Sequence, residues 1–206
     1  TRAHGQPPRE PWEYGEDFTD MYRRTLEMRY QLMPYIYAEA HKASAEGHPM
    51  LRALFFEYPD DPTSWTIDDQ YLFGSKMLVA PLIESSDTRD VYLPPGTWID
   101  YQSGEVYEGA QWHEITAGDI PVIALVKNNT ALPHIGLAQN TAEMDWSDIE
   151  LRVYSVDGEP ASSRFAMPDG ELQSLTLEMD DGAYSLRANP LSDEVSWEIT
   201  RAELAN

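Results

Sequence analysis

The chain has 206 residues, and its 14 basic and 36 acidic side chains give a formal net charge of −22 at pH 7. This excess of negative charge repels nucleic-acid phosphates and anionic lipid, which excludes non-specific binding to nucleic acid or to a membrane surface. No apolar run approaches the roughly 18 residues needed to span a bilayer, and the absence of cysteine excludes disulfides, thiolate nucleophiles and cysteine metal sites. A hydrophobic fraction of 42% is enough to fill a core.

The first predicted elements are a loop and a long helical segment. Prolines exclude regular structure up to about Gly15. Apolar residues then recur at a helical period, from a cap at Asp17 or Thr19 to a stop at Gly47. Pro34 lies inside this pattern and predicts a kink or a division into two helices.

Two short segments follow this helical region. Residues 50–57 are mostly apolar and are typical of a strand buried on both faces, although a short buried helix is the alternative. Residues 68–74 resemble a single helical turn that ends at Gly74.

The remainder of the chain is predicted to form β-structure. Glycine, proline, aspartate and serine separate short apolar runs, which indicates an antiparallel sandwich. These runs lie at residues 77–80, 91–93, 97–99, 114–115 and 122–126. A polar stretch at about 136–147 is a candidate linker. Apolar and polar residues alternate beyond it, at residues 149–154, 175–179 and 195–199, which predicts a second small β-unit.

Few residues suggest catalytic chemistry by themselves. The sequence contains no phosphate-binding loop, no His-Glu-x-x-His and no Gly-x-Ser-x-Gly, and its histidines are not at metal-ligand spacing, so we expect no metal and no cofactor. Adjacent aspartates near prolines and glycines favour turn and cap roles over catalysis, and Asp100 is expected at a surface strand end. Aromatic residues from Tyr22 onward favour packing, whereas Trp12 and Tyr14 leave packing and sugar stacking equally open.

An ordered set of motifs over about residues 1–135 resembles glycoside hydrolase family 31. The motifs are RAHG at 2–5, PW at 11–12, MRYQLMPYIY at 28–37, GHPMLRAL at 47–54, YPDD at 58–61, DQYLFG at 69–74, LVAP at 78–81, VYLPPGTW at 91–98 and IPVI at 120–123. Each motif is weak alone, but their order makes the set specific.

The resemblance implies a fold class of α/β followed by all-β. Family members have a (β/α)8 barrel followed by proximal and distal β-sandwich domains. On this pattern residues 1–75 correspond to the last β/α units of the catalytic barrel, residues 76–136 to the proximal sandwich and residues 137–206 to the distal one. An isolated barrel end buries little apolar area, so the expected partner is the N-terminal part of the barrel.

The resemblance also implies hydrolysis of α-glycosides with retention, through an aspartate nucleophile and an aspartate acid/base on earlier barrel strands. We transfer neither role to an aspartate of this chain, so no catalytic residue is predicted in it. His4 matches the histidine of the family's Arg-x-His-Gly motif, which implies a substrate-binding residue that hydrogen-bonds sugar hydroxyls. If residues 1–3 end a barrel strand, His4 projects where barrel active sites lie. Arg2 supports the loop.

The substrate is predicted from smaller details. The sequence KNNT at 127–130, with QWH at 111–113 and MDW at 144–146, is similar to the α-xylosidase branch. We therefore favour an α-xyloside oligosaccharide as the substrate over an α-glucoside. The alternatives are an α-glucosidase of the same family, a non-catalytic carbohydrate-binding β-sandwich module and a split-gene partner of a separate catalytic chain. A cytoplasmic location is expected, and homo-oligomer formation is left open.

Overall fold

Two helices lead into a mainly β chain in the computed structural model, which describes residues 7–189, 191 and 193–205. The helices are α1 (Glu16–Gln31), α2 (Met33–Glu46) and α3 (Leu54–Glu57). The strands are β1 (Leu51–Arg52), β2 (Tyr71–Phe73), β3 (Met77–Pro81), β4 (Thr88–Leu93), β5 (Thr97–Asp100), β6 (Val106–Glu108), β7 (Gln111–Thr116), β8 (Val122–Lys127), β9 (Thr130–Ile135), β10 (Asp148–Tyr154), β11 (Ala161–Phe165), β12 (Gln173–Asp180), β13 (Ala183–Leu186) and β14 (Ser196–Arg201). This order of α/β followed by all-β confirms the predicted fold class.

The long helical segment is divided as predicted. The helix α1 ends at Gln31, Leu32 caps it, and α2 begins at Met33. Pro34 lies in the first turn of α2, where a missing N–H costs nothing. Gly47 ends α2 in the left-handed conformation. The cap of α1 is Gly15, not Asp17 or Thr19. Among the described residues, no helix is both long and apolar enough to cross a membrane.

The first sheet is buried on both of its faces. It has six strands in the order β1-β2-β3-β8-β5-β6. On β8, Ile123 and Leu125 point to one core, which the separate β4–β7 pair covers to form a sandwich. Ala124 and Val126 point to the opposite side. Burial on both faces explains the continuous apolar run of β8.

The opposite side of the first sheet packs against the helices and the second sheet. Leu32 and Tyr35 from the helix pair share this core with Leu132 of β9 and Tyr154 of β10. The helices therefore lie at the junction between the two sheets, and their packing joins the predicted barrel end to the β-units.

The second sheet also has six strands, in the order β13-β12-β11-β9-β10-β14. The chain passes into it at Asn128 and Asn129, where Asn129 is left-handed with φ 59°. The stretch at 136–147, predicted as a linker, connects β9 to β10, which are antiparallel neighbours within this sheet. The change of sheet therefore comes before β9, earlier along the chain than the expected division at residue 136.

The prediction of one buried strand over residues 50–57 is wrong. Only Leu51–Arg52 is extended, and Leu54–Glu57 forms α3. The physical reason is the Arg52 side chain, which hydrogen-bonds Glu57. A helical turn brings residue 57 back beside residue 52, whereas a strand would separate them by about 3.3 Å per residue.

The prediction of a helical turn at residues 68–74 is also wrong. Residues Tyr71–Phe73 form β2, which pairs with both β1 and β3. Two hydrogen-bonded neighbours override the weak local signal of this short segment. Gly74 does not end a helix. It lies in the hairpin turn between β2 and β3, where its φ is 64°.

A buried ion cluster fastens α2 to this hairpin region. Arg52 is fully buried, and its guanidinium pairs with Glu39 of α2 at 3.0 Å and with Glu57 of α3. Its Nε also donates to the Pro49 carbonyl at 2.6 Å. Every side of the guanidinium therefore has a partner, as a buried charge requires.

Gly74 completes the contact between α2 and the hairpin. The Tyr35 hydroxyl donates to the carbonyl of Phe73, the residue before this glycine. A Cβ on Gly74 would lie 2.6 Å from the Glu39 side chain and closer still to the Tyr35 hydroxyl. Glycine is needed here both for the positive φ and for the close approach of α2.

We predict that Gly74→Ala destabilises the protein by about 2–4 kcal/mol, because strain at positive φ adds to overpacking against α2. The matched control is Gly47→Ala, which has φ 74° and no atom within 4 Å of the added Cβ, so that only the strain remains. Gly47→Ala should lower the free energy of unfolding by about 1 kcal/mol. Urea unfolding at equilibrium measures both values, and equal losses would contradict the steric contact.

A buried histidine joins the two sheets. His134 of β9 is 2% exposed, and its Nε2 lies 2.9 Å from the hydroxyl of Tyr101, just after β5. Burial, together with the Arg152 charge, lowers the pKa of His134 to about 4, and the Glu150 carboxylate opposes this shift. The imidazole is therefore neutral in the folded state at pH values where it is protonated in the unfolded chain.

We predict that this histidine makes stability fall as the pH falls. Between pH 6.5 and 4 the unfolded chain binds a proton that the folded state does not, so His134 reduces stability by about 2 kcal/mol between pH 6.5 and 5. His134→Gln should flatten this part of the profile of unfolding free energy against pH. The control His113→Gln, at a half-buried position on β7, should keep the wild-type slope. An unchanged slope in His134→Gln would refute the assignment.

Candidate functional site

The predicted sugar-binding residue His4 lies outside the described residues, as does Arg2. Its role stays a prediction. The part of the site that the structure describes is therefore the segment that follows, which leads from Pro7 into α1.

Exposed aromatic rings line this segment. Trp12 and Tyr14 lie in a 3₁₀ turn, Pro11–Tyr14, and are 66% and 56% exposed. The Tyr14 ring lies 5.0 Å from Phe18, which stacks at 6.5 Å on Tyr22. The result is a row of apolar rings that begins eight residues after His4. Aromatic faces of this kind can pack on the C–H faces of a sugar ring or on another protein surface.

The aromatic residues from Tyr22 onward are predicted to pack in the core, and Tyr35 does so most completely. Tyr35 is buried in the core at the sheet junction, whereas Tyr22, Tyr30 and Tyr37 are half-buried. The helix α1 itself has no buried residue.

Trp98 and Trp112 of the first β-unit do not form a shared sugar platform. Trp98 is fully buried, and its indole N–H donates to the Pro94 carbonyl at 2.9 Å. Trp112 is 52% exposed on β7 and packs on Tyr92, with ring centroids 5.6 Å apart at a tilt of 57°. A carbohydrate-binding module needs a flat exposed platform, so this arrangement counts against that alternative.

The aspartates considered for acid/base work have structural partners. Asp61 caps the 3₁₀ turn Pro62–Trp65 by accepting from the Thr63 N–H at 3.1 Å. Asp69 pairs with Arg89. The Asp100 carboxylate accepts from the backbone N–H groups of residues 102 and 103, at 2.8 and 2.7 Å. Asp100 is thus buried in a turn at the strand end, where the sequence predicted a surface position. A cap, an ion pair and a turn thus account for these three carboxylates.

The described residues offer no metal centre. No group of three or more histidine, cysteine, aspartate or glutamate side chains in that part of the chain converges on one point. His134 is committed to Tyr101 and to the Leu132 carbonyl. Sequence reasoning missed a grouping of basic side chains, since the positions of Lys76, Lys127 and Arg164 along the chain give no sign that they line one cavity.

Two family models match the chain in sequence order. The model described as "Glycosyl hydrolases family 31 TIM-barrel domain" matches residues 1–39. The model described as "Glycosyl hydrolase family 31 C-terminal domain" matches residues 47–132. The second match begins before β1, so it includes the hairpin region that Arg52 fastens to α2.

Relatives of known name match almost the whole chain. An "Alpha-glucosidase 2" of Bacillus thermoamyloliquefaciens is 31% identical over 212 residues, which takes in 97% of this chain and 27% of the relative. An "Alpha-xylosidase" of Saccharolobus solfataricus is 31% identical over 208 residues, or 98% of this chain and 26% of the relative. The chain therefore spans about a quarter of the length of these relatives.

A solved structure has the same fold. The Flavobacterium johnsoniae GH31 dextranase, complexed with glucose, superimposes with a TM-score of 0.79 at 30% identity, over 86% of this chain and 23% of that chain. Two models of one family, matched in the order barrel and then C-terminal domain, agree with the helix pair docked on β-units. The chain belongs to glycoside hydrolase family 31.

Proposed function

We propose that this chain is the C-terminal part of a retaining α-glycosidase, and that an α-xyloside is its preferred substrate. The observation that carries the proposal is the ordered match of a barrel model and a C-terminal-domain model on one chain. The chain closes the barrel with its helix pair and braces it with two β-units, while the catalytic aspartates lie on preceding barrel strands.

Two features of the described residues support a role within a longer polypeptide. Helix α1 buries none of its residues, and Leu26 on it is 42% exposed, which suits a surface that more protein covers. Three of the aspartates that the sequence offered for catalysis, Asp61, Asp69 and Asp100, serve a cap, an ion pair and a turn. Retaining hydrolysis needs two carboxyl groups about 5–5.5 Å apart, one to attack the anomeric carbon and one to protonate the leaving oxygen.

In this proposal His4 binds the sugar and does not carry the reaction. An imidazole at the carboxyl end of a barrel strand faces the pocket. Its N–H can donate to a sugar hydroxyl, and such hydrogen bonds strengthen as the oxocarbenium-like transition state forms.

The preference for xyloside rests on residues outside the pocket. Asn128 and Asn129 belong to the KNNT sequence and form the turn between the two sheets, where both side-chain amides donate to Asp157, at 3.0 and 3.3 Å. Asn129 is left-handed, a conformation that asparagine tolerates. These residues therefore indicate a branch of the family. In this proposal their role is to form a structural turn, and they do not contact the substrate.

We predict that the natural polypeptide containing residues 1–206 hydrolyses an aryl α-xyloside with a kcat/KM at least about tenfold above that for the matching α-glucoside, because a pocket shaped for the smaller sugar crowds the extra hydroxymethyl group. Release of the aryl alcohol measures both rates. The isolated 206-residue chain is the control and should turn over neither substrate. Preference for the glucoside would reassign the enzyme as an α-glucosidase, and no turnover by the natural polypeptide would remove the glycosidase proposal.

We predict that His4→Ala in the natural polypeptide lowers kcat/KM by about tenfold to a hundredfold, the size expected for one lost hydrogen bond to a developing charge. The melting temperature should stay within about 1–2 °C of wild type, since this role requires no contact with the core. His113→Ala, on the β-unit, should leave the kinetics unchanged. Wild-type kinetics in His4→Ala would exclude the residue from the sugar pocket.

A further inference from the structure

Two of the three lysines of the chain line one cavity, Lys76 and Lys127. The sequence contains three, Lys42, Lys76 and Lys127, among 36 acidic residues. Lys42 lies on α2, Lys76 on the turn between β2 and β3, and Lys127 at the end of β8. The backbone N–H of Lys127 donates to the Lys76 carbonyl at 2.9 Å, which holds two of them side by side. Arg164 of β11 faces them across the cavity.

The cavity lies where the helices and both sheets meet. Its volume is about 430 Å³, of the size of a small-molecule site. Lys76 and Lys127 line one wall. The other wall is one face of the β11–β12 pair, because side chains opposite each other in an antiparallel register share a face. That face carries Ser162 opposite Thr176 and Arg164 opposite Ser174.

The acids at this cavity are already engaged elsewhere. Glu39 and Glu57 line it, but both pair with the buried guanidinium of Arg52. Arg164 reaches a glutamate, Glu46, only at 3.9 Å. Within the described part of the chain, no lysine has a carboxylate oxygen within 4.0 Å.

The lysine ammonium groups have neutral partners instead. Nζ of Lys76 donates to the Ser162 hydroxyl at 3.0 Å, and Nζ of Lys127 donates to the Tyr58 hydroxyl at 3.1 Å. Burial is the largest cause that lowers the pKa of Lys76, and the charges of Lys127, Arg164 and Lys42 lower it further, against an opposing contribution from Glu39. Like charges are thus held together at half-buried positions, with no carboxylate oxygen of the described residues within 4.0 Å of either ammonium group, an arrangement that a bound anion would stabilise.

We propose that this cavity binds a small tetrahedral oxyanion of the phosphate or sulfate class, held by Lys76, Lys127, Arg164 and the Ser162 hydroxyl. Ammonium, guanidinium and hydroxyl donors that converge from different elements form charge-assisted hydrogen bonds to such an anion. The rest of this acidic surface repels anions, so the cavity is a local exception to the charge of the chain.

The proposed anion has a structural role that is independent of glycoside hydrolysis. Its donors come from the β2–β3 turn, from β8 of the first sheet and from β11 of the second sheet. An anion at this point would bridge the two sheets beside α2. Because it binds only where these elements are packed together, it stabilises the folded state by linkage.

The test uses inorganic phosphate and the natural polypeptide that contains residues 1–206. Isothermal titration should give saturable binding of one phosphate per chain, and phosphate should raise the melting temperature above that in chloride of equal ionic strength. Lys76→Gln and Lys127→Gln, made separately, should each weaken phosphate binding at least about tenfold, as expected for one charge-assisted contact. Arg187→Gln is the matched control, because this exposed arginine near β13 pairs with Glu178, away from the cavity, and it should bind as wild type.

Each outcome decides the proposal. Absence of saturable binding in the wild type, or a melting temperature that follows ionic strength alone, overturns it. Binding that survives all the cavity variants places the anion elsewhere and overturns it equally. If the lysine variants do not fold, Arg164→Gln serves instead, because this side chain is partly exposed at the rim, with 38% exposure. Wild-type affinity in that variant would refute the site. None of these outcomes depends on glycosidase activity.

Discussion

The pairing of one buried guanidinium organises the junction on which the structure depends. Arg52 cannot lose its charge, so burying it requires acceptors on every side. These come from Glu39 of α2, Glu57 of α3 and the carbonyl of Pro49. The requirement forces α3 to turn back immediately after β1, and it fixes α2 against the hairpin in the position where Tyr35 reaches the backbone beside Gly74.

Once α2 is fixed, the first sheet can be buried on both faces. The β4–β7 pair covers one face, and the helix pair covers the other together with the second sheet. The contacts of the helices thus extend into both β-units. The junction also buries a hydrogen-bonded pair, His134 and Tyr101. Burial of His134 lowers its pKa, which makes the packing of the two sheets sensitive to acid.

The described residues have structural roles, which fits the proposal that the catalytic residues lie on the barrel strands. The described residues provide support: caps, turns, ion pairs and three apolar cores. The side chains suited to contact a sugar, Trp12 and Tyr14, lie exposed at the end that follows His4. The charge of −22 would have no part in attracting the neutral sugar that we propose as substrate. The positive charge that gathers at the lysine cavity is therefore a separate property of the junction between the two sheets.

The sequence by itself determined the features that depend on neighbours along the chain. Backbone restriction located the helix break at Pro34 and the stop at Gly47. Apolar runs between turn residues, together with alternation, located eight of the fourteen strands that the structure describes. The ordered motifs identified the family. Tertiary structure alone decided the state of residues 50–57 and 68–74, because an apolar run without a period takes its conformation from its partners. It also decided that β9 forms a strand despite Pro133, at a position where β10 supplies the pairing. Burial and charge depend on residues far away in sequence, so only the folded chain shows which tryptophan is hidden and where the lysines meet.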